Sequence, residues 1–143
     1  MKYKLIYIFL KILFFFFLTL NLSADNKNYF NEGKNLFENN KYDEAKFKFE
    51  KDLVFNPKNE NSYLYLAKIF HYKKNNSLEE KNLNTVILLN PKNEEAVVDL
   101  AKLRMKNSNY SETTKLIETL EQICVKLCSS VYTIKKELSE SQK

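Results

Sequence analysis

The sequence predicts an all-α solenoid, a helical-hairpin repeat of about three units closed by an extended C-terminal capping helix. Three observations carry this reading. The pentapeptide Asn56-Pro57-Lys58-Asn59-Glu60 recurs 34 residues later as Asn90-Pro91-Lys92-Asn93-Glu94, and the two copies hold the only two prolines. Leu66-Ala67-Lys68 recurs as Leu100-Ala101-Lys102 at the same interval. A fixed period in this range marks stacked supersecondary units. Finally, one glycine and two prolines in 143 residues are too few for a sandwich or barrel, which needs frequent tight turns.

The elements follow in order. Residues 1–24 read as an export signal. Lys2 and Lys4 give a positive start, the stretch from Leu5 to Leu22 is apolar apart from Lys11, Thr19 and Asn21, and Ser23-Ala24 precedes polar Asp25-Asn26-Lys27. That is the order of a secretory signal cut after Ala24. The alternative is an uncleaved membrane anchor over residues 5–22, which is short for a bilayer and carries Lys11. No cysteine follows the apolar stretch, which argues against a lipoprotein. Both readings place the rest of the chain outside the cytoplasm, as a periplasmic or otherwise extracytoplasmic protein. The formal charge of +5 is largely this leader's: without its three lysines, 20 basic residues face 18 acidic ones. A nucleic-acid binder would concentrate its basic residues.

Tyr29, Phe30, Gly33, Leu36 and Phe37 recur at three- and four-residue steps, one apolar helix face. Asn39-Asn40-Lys41 interrupts the pattern, and Tyr42, Ala45, Phe49, Leu53 and Phe55 resume it until Asn56-Pro57, because the residue before proline is pushed out of the helical region. Asn59 then caps the next helix. The cycle repeats with Tyr63, Leu66, Ala67 and Phe70, a break at Asn75-Asn76, and a capping box at Ser77 and Glu80. Leu83, Val86, Ile87 and Leu89 follow, to Asn90-Pro91. A third cycle holds Val97, Leu100, Ala101 and Leu103, breaks at Asn107-Ser108, and restarts at an Asn109–Glu112 cap. With no proline at Val125, the last helix is expected to run on unbroken, with Leu116, Leu120, Ile123, Leu127, Val131, Ile134 and Leu138 as one stripe from Ser111 to Leu138. An open stack needs such a terminal cap. The alternative is a homodimer seam over 111–138, because the steps approach a heptad.

The units run 25–59, 60–93 and 94–125, the last degenerate, with 126–143 as cap and tail. This arrangement resembles the tetratricopeptide repeat family over about three-quarters of the chain. Tyr29, Gly33, Leu36, Tyr42, Ala45, Phe49 and Pro57 fall on signature places of the first unit. Ala67 and Pro91 do so in the second and Ala101 in the third. Gly33 and Ala45 are expected to let the two helix backbones of a hairpin approach. Glu32, Asp52, Glu79 and Thr113 depart from the pattern, Glu79 and Thr113 where the family has a small residue.

The resemblance implies a non-enzymatic protein-interaction scaffold whose first helices line a groove. Carried over, the groove residues are Phe30, Lys34, Phe37 and Glu38, then Leu64, Lys68, His71 and Tyr72, then Val98, Lys102, Met105 and Lys106. Lys34, Lys68 and Lys102 form a column suited to an acidic and apolar peptide or helix of a cell-envelope partner. The pattern that grips chaperone tails is absent, because Phe30, Tyr65, Glu95 and Asp99 stand where it requires Lys, Asn or Arg. The scaffold reading expects exposed groove aromatics, and the self-association alternative expects an exposed stripe from Leu116 to Leu138.

The residues themselves offer no chemistry. A single glycine excludes a phosphate loop, and the single His71 has no nucleophile motif beside it. Glu79-Glu80 and Glu94-Glu95 lie at helix starts, where acids complement the dipole. Cys124 and Cys128, four apart on a regular helix, point along one face. The expectation is therefore two buried thiols rather than a disulfide. No metal or cofactor is expected, since too few ligands surround His71.

Overall fold

In a computed structural model, which describes residue 11 and residues 28–142, the chain is an all-α solenoid of helical hairpins. Among the described residues there are seven helices of two turns or more: α1 (Tyr29–Glu38), α2 (Tyr42–Phe55), α3 (Glu60–Tyr72), α4 (Asn76–Leu89), α5 (Glu94–Lys106), α6 (Tyr110–Ile123) and α7 (Cys128–Ser141). α1–α2, α3–α4 and α5–α6 are hairpins, and α7 packs on α6 and α5. The expected export signal and its alternative anchor lie outside the described residues, Lys11 apart.

One backbone device closes all three hairpins. Asn40, Lys74 and Ser108, spaced 34 apart, are left-handed with φ of 60°, 56° and 58°. In each, two amides fold back onto carbonyls of the ending helix: Asn40 and Lys41 onto Phe37 and Leu36, Lys74 and Asn75 onto His71 and Phe70, Ser108 and Asn109 onto Met105 and Arg104. This satisfies orphan carbonyls as a glycine-centred cap does, which is how a chain with one glycine makes three tight turns. Asparagine side chains then start the helices. Asn59 accepts from the Asn61 amide, Asn93 from Ala96 and Asn109 from Glu112. The expected Ser77 cap is displaced. Asn75 accepts from the Leu78 amide at 3.1 Å, so Asn76 is already helical and Ser77 lies in the first turn.

Gly33 faces α2, and its neighbour there is Phe49 more than Ala45. A Cβ on Gly33 would sit 2.9 Å from the Phe49 ring. That ring is fully buried and boxed between Phe30 and Tyr65, so it has no room to retreat. Ala45, Ala67 and Ala101 are equally buried, while Pro57 and Pro91 sit exposed in the turns between hairpins.

Hairpins join through a seam whose chemistry changes along the stack. Between the first two, buried Asp52 accepts from Ser62 Oγ at 2.6 Å, Asn59 Nδ2 at 2.7 Å and Asn56 Nδ2 at 2.9 Å. This staple satisfies a carboxylate at a buried place, Asp52 being 3% exposed. At the second seam the same two places are Val86 and Ala96, both buried and apolar. Charge-assisted bonds hold one seam and burial holds the other.

The third seam departs from expectation. The stripe from Ser111 to Leu138 is not one helix, because α6 stops at Ile123 and α7 begins at Cys128. Cys124 stands 34 residues after Asn90, so the break falls where a seam is due. Glu94 makes it: its carboxylate accepts the backbone N–H groups of Val125, Lys126 and Leu127 at 2.6–3.2 Å. Its counterpart Glu60 accepts from Asn90 Nδ2 at 2.7 Å. With Cys124 capping the end of α6 and Cys128 opening α7, the two come to a Cα separation of 5.2 Å and form a disulfide, so the expectation of two buried thiols is overturned. The start of α6 meets the end of α7 through the Tyr110 hydroxyl and the Ser141 carbonyl, so the two run antiparallel. The stripe residues survive as a cluster around Ile117, Leu120 and Ile134, with Leu116, Ile123, Leu127, Val131 and Leu138 packed against it.

Two outcomes test these seams. Asp52→Ala strands three donors and is expected to cost about 2–4 kcal/mol, whereas Asp52→Val with Ser62→Ala copies the next seam and is expected to recover most of that in urea unfolding. The bonds from Leu127, Val125 and Lys126 hold the Glu94 carboxyl below its ordinary 4.5, against a smaller opposing effect of desolvation. A depressed acid stabilises fully above its unfolded value and loses that contribution as pH falls through the folded one. Amide protection at 125–127, taken against the intrinsic exchange rate at each pH, is therefore expected to fall below pH 4.5, and Glu94→Gln to show the lowered protection at neutral pH.

Candidate functional site

The stacking of first helices opens a cleft of about 370 Å³ beside α3, reaching Phe37 of α1, Glu79 and Leu83 of α4, and Asp99, Lys102, Leu103 and Lys106 of α5. Its α3 wall is Ala67, Lys68, His71 and Tyr72. These positions share one helical face at steps of three and four. Of the groove residues expected from sequence, the cleft brings together Phe37, Lys68, His71, Tyr72, Lys102 and Lys106. It leaves out Leu64 and Val98, which are buried core at 4% and 5% exposure. Helix 3.6-residue spacing turned those two inward. Phe30, half-buried, serves the first core cluster. Lys34 is exposed and pairs with Glu38 at 3.8 Å. Half-buried Met105 is not among the cleft residues.

The lysine column is largely neutralised. Lys68 Nζ meets the Glu95 carboxylate at 2.7 Å and lies 5.0 Å from the Tyr65 ring centre. Lys106 donates to Asn76 Oδ1 at 3.3 Å. Of the column Lys34, Lys68 and Lys102, Lys102 alone has no ion pair among the described residues, and exposed Lys106 has none either. An aromatic wall borders the lysines: Phe37 packs edge-on to Tyr65 at 5.1 Å, and Tyr72 stacks on Tyr42 at 4.8 Å while remaining 57% exposed.

Two acids at the cleft were not anticipated as site residues. Glu79 is 4% exposed, and its Oε1 meets His71 Nδ1 at 2.9 Å. Asp99 is half-buried. Desolvation, then the neighbouring Glu95, raise its carboxyl above the ordinary range, opposed by Lys68, Lys102 and His71. The paired acids at helix starts therefore do more than complement dipoles: Glu80 binds Arg104 at 2.9 Å and Glu95 binds Lys68. The available signal for Glu79 was its place in the repeat, because a carboxylate where the family has a small residue has to point somewhere.

No family model and no curated protein matches the sequence. Solved structures do. The type III secretion chaperone SycD of Yersinia enterocolitica, in complex with a peptide of the translocator YopD, superposes with a TM-score of 0.75 at 12% identity, over 86% of this chain and 99% of that one. The first tetratricopeptide domain of Spaghetti (RPAP3), bound to the HSP90 peptide SRMEEVD, gives 0.70 at 20% identity, over 80% and 92%. The tetratricopeptide domain of Arabidopsis OM64 gives 0.70 at 15%, over 78% and 92%. At these identities the likeness is one of fold: the chain has a tetratricopeptide-repeat-like fold.

Proposed function

We propose that this chain is an exported, non-enzymatic interaction module that holds a peptide segment of a cell-envelope partner in the cleft beside α3. The observation that carries this is the cleft itself, built from one face of α3 with contributions from α1, α4 and α5, and combining exposed Tyr72 and half-buried Phe37 with a few polar groups. Such a mix of apolar wall and sparse polar contacts suits a peptide. Two of the similar structures, SycD and Spaghetti, were solved with a peptide bound. Export is supported by the basic-then-apolar N-terminus and by the Cys124–Cys128 disulfide, since disulfides persist in oxidising compartments. The groove contacts we assign are Phe37, Lys68, His71, Tyr72 and Lys102. Self-association through 111–138 is the weaker reading, because that stripe is spent on packing α7.

A photo-crosslinking amino acid at Tyr72 is expected to yield one discrete adduct in the envelope fraction of living cells. The same group at Leu88, exposed but outside the cleft, is expected to yield none. Equal labelling from both positions, or an adduct from Leu88 alone, would refute the cleft as the binding surface.

A further inference from the structure

The floor of the cleft holds a group that its own hairpin does not need. Glu79 occupies the place of Ala45 one unit earlier and of Thr113 one unit later, and both of those are fully buried. Thr113 satisfies its hydroxyl on the Asn109 carbonyl at 2.9 Å. Glu79 satisfies one oxygen only. Oε1 meets His71 Nδ1, while no donor on the protein reaches Oε2, the only such buried side-chain atom among the described residues. A buried carboxylate oxygen without a donor destabilises the fold, and does so more than a neutral group would. A ligand that supplies the donor removes that cost.

The charges around the cleft decide what kind of donor fits. From α3 come Lys68 and His71, from α4 Glu79, and from α5 Asp99, Lys102 and Lys106. Lys68 is already engaged by Glu95. Lys102 and Lys106 are exposed, so solvent and salt screen them. Glu79 and Asp99 lie deeper, where the effective dielectric is lower and a charge acts more strongly. An anion at the floor would meet two carboxylates, and a cation would meet its acceptors. The lid over Glu79 is the His71 ring, whose side chain is 65% exposed and so able to swing outward. Phe37, Tyr72 and Leu103 offer apolar surface to an alkyl stem, which is how Lys and Arg side chains bury their methylenes.

We propose that the cleft selects a peptide bearing a lysine or arginine side chain, whose cationic head displaces His71 from Glu79 and supplies the donor that Oε2 lacks. This rests on the peptide-binding reading above and adds the chemistry of its ligand, reversing the acidic partner that the lysine column suggests from sequence.

A library of random dodecapeptides displayed against the full chain tests it. The expected winners are enriched in Lys and Arg over Asp and Glu. A synthetic winner is expected to bind about tenfold more weakly to Glu79→Gln and to Glu79→Ala, the loss of one charge-assisted hydrogen bond. Glu79→Ala is expected to unfold at no lower temperature than the wild type, because alanine fits that place in the first hairpin. Acidic or charge-neutral winners would overturn the inference and leave the peptide-binding reading standing, as would affinity unchanged in Glu79→Gln. A fall in the unfolding temperature of Glu79→Ala would mark Glu79 as structural and overturn it as well. No enriched peptide at all would overturn the peptide-binding reading, and the inference with it.

Discussion

No hairpin in this chain buries all of its apolar surface by itself, and the rest of the fold follows from that. Each of the three core clusters straddles a junction. The first joins Ala45 and Phe49 of α2 to Leu66, Ile69 and Phe70 of α3. The second joins Leu83 and Val86 of α4 to Ala96, Leu100 and Leu103 of α5. The third joins Val97, Val98 and Ala101 of α5 to Ile117 and Leu120 of α6 and Ile134 of α7. A stack of this kind is stabilised unit by unit through its neighbours. A constant interval is the consequence, since each hairpin of one length and geometry presents the same face to the next. The same stacking aligns the first helices, and so opens the cleft.

The departures from the repeat carry what is particular to this molecule. Asp52 and Ser62 give the first seam a buried polar staple that the second seam replaces with Val86 and Ala96. Glu60 and Glu94 are copies of one residue with two uses. The first holds the side chain of Asn90, and the second gathers three backbone amides and so bends the chain into α7. Glu79 substitutes a carboxylate for a small residue and turns a packing position into the floor of the cleft. A repeat tolerates such exchanges because each one perturbs only its own junction.

The helices and the hairpin seams were legible because periodicity and proline report local physics. Gly33 and Ala45 announced a close approach, and Asn59, Asn93 and Asn109 announced helix starts. The break before α7 was not legible from local pattern, because no proline or glycine marks it and the apolar steps run through it. Its cause is the side chain of Glu94, more than thirty residues away in sequence, and only the repeat interval pointed to it. The disulfide was hidden for the same reason, since its geometry depends on that break. The groove was half legible. Helical spacing placed Lys68, His71 and Tyr72 on one face of α3 and the repeat interval set Lys102 beside Lys68, but the same spacing also nominated Leu64 and Val98, which are buried in the core. The acids Glu79 and Asp99 escaped because their burial depends on stacking between units, which no single helix reveals.

Removing the last helix probes the stacking most directly. In a chain ending at Cys124, α7 no longer covers Val97, Val98, Ile117 and Leu120. If junctions hold the fold together, amide protection measured by hydrogen exchange falls steeply across α5 and α6, less in α3 and α4, and least in α1 and α2. Protection that stays unchanged in α5 and α6, or falls equally everywhere, would contradict it.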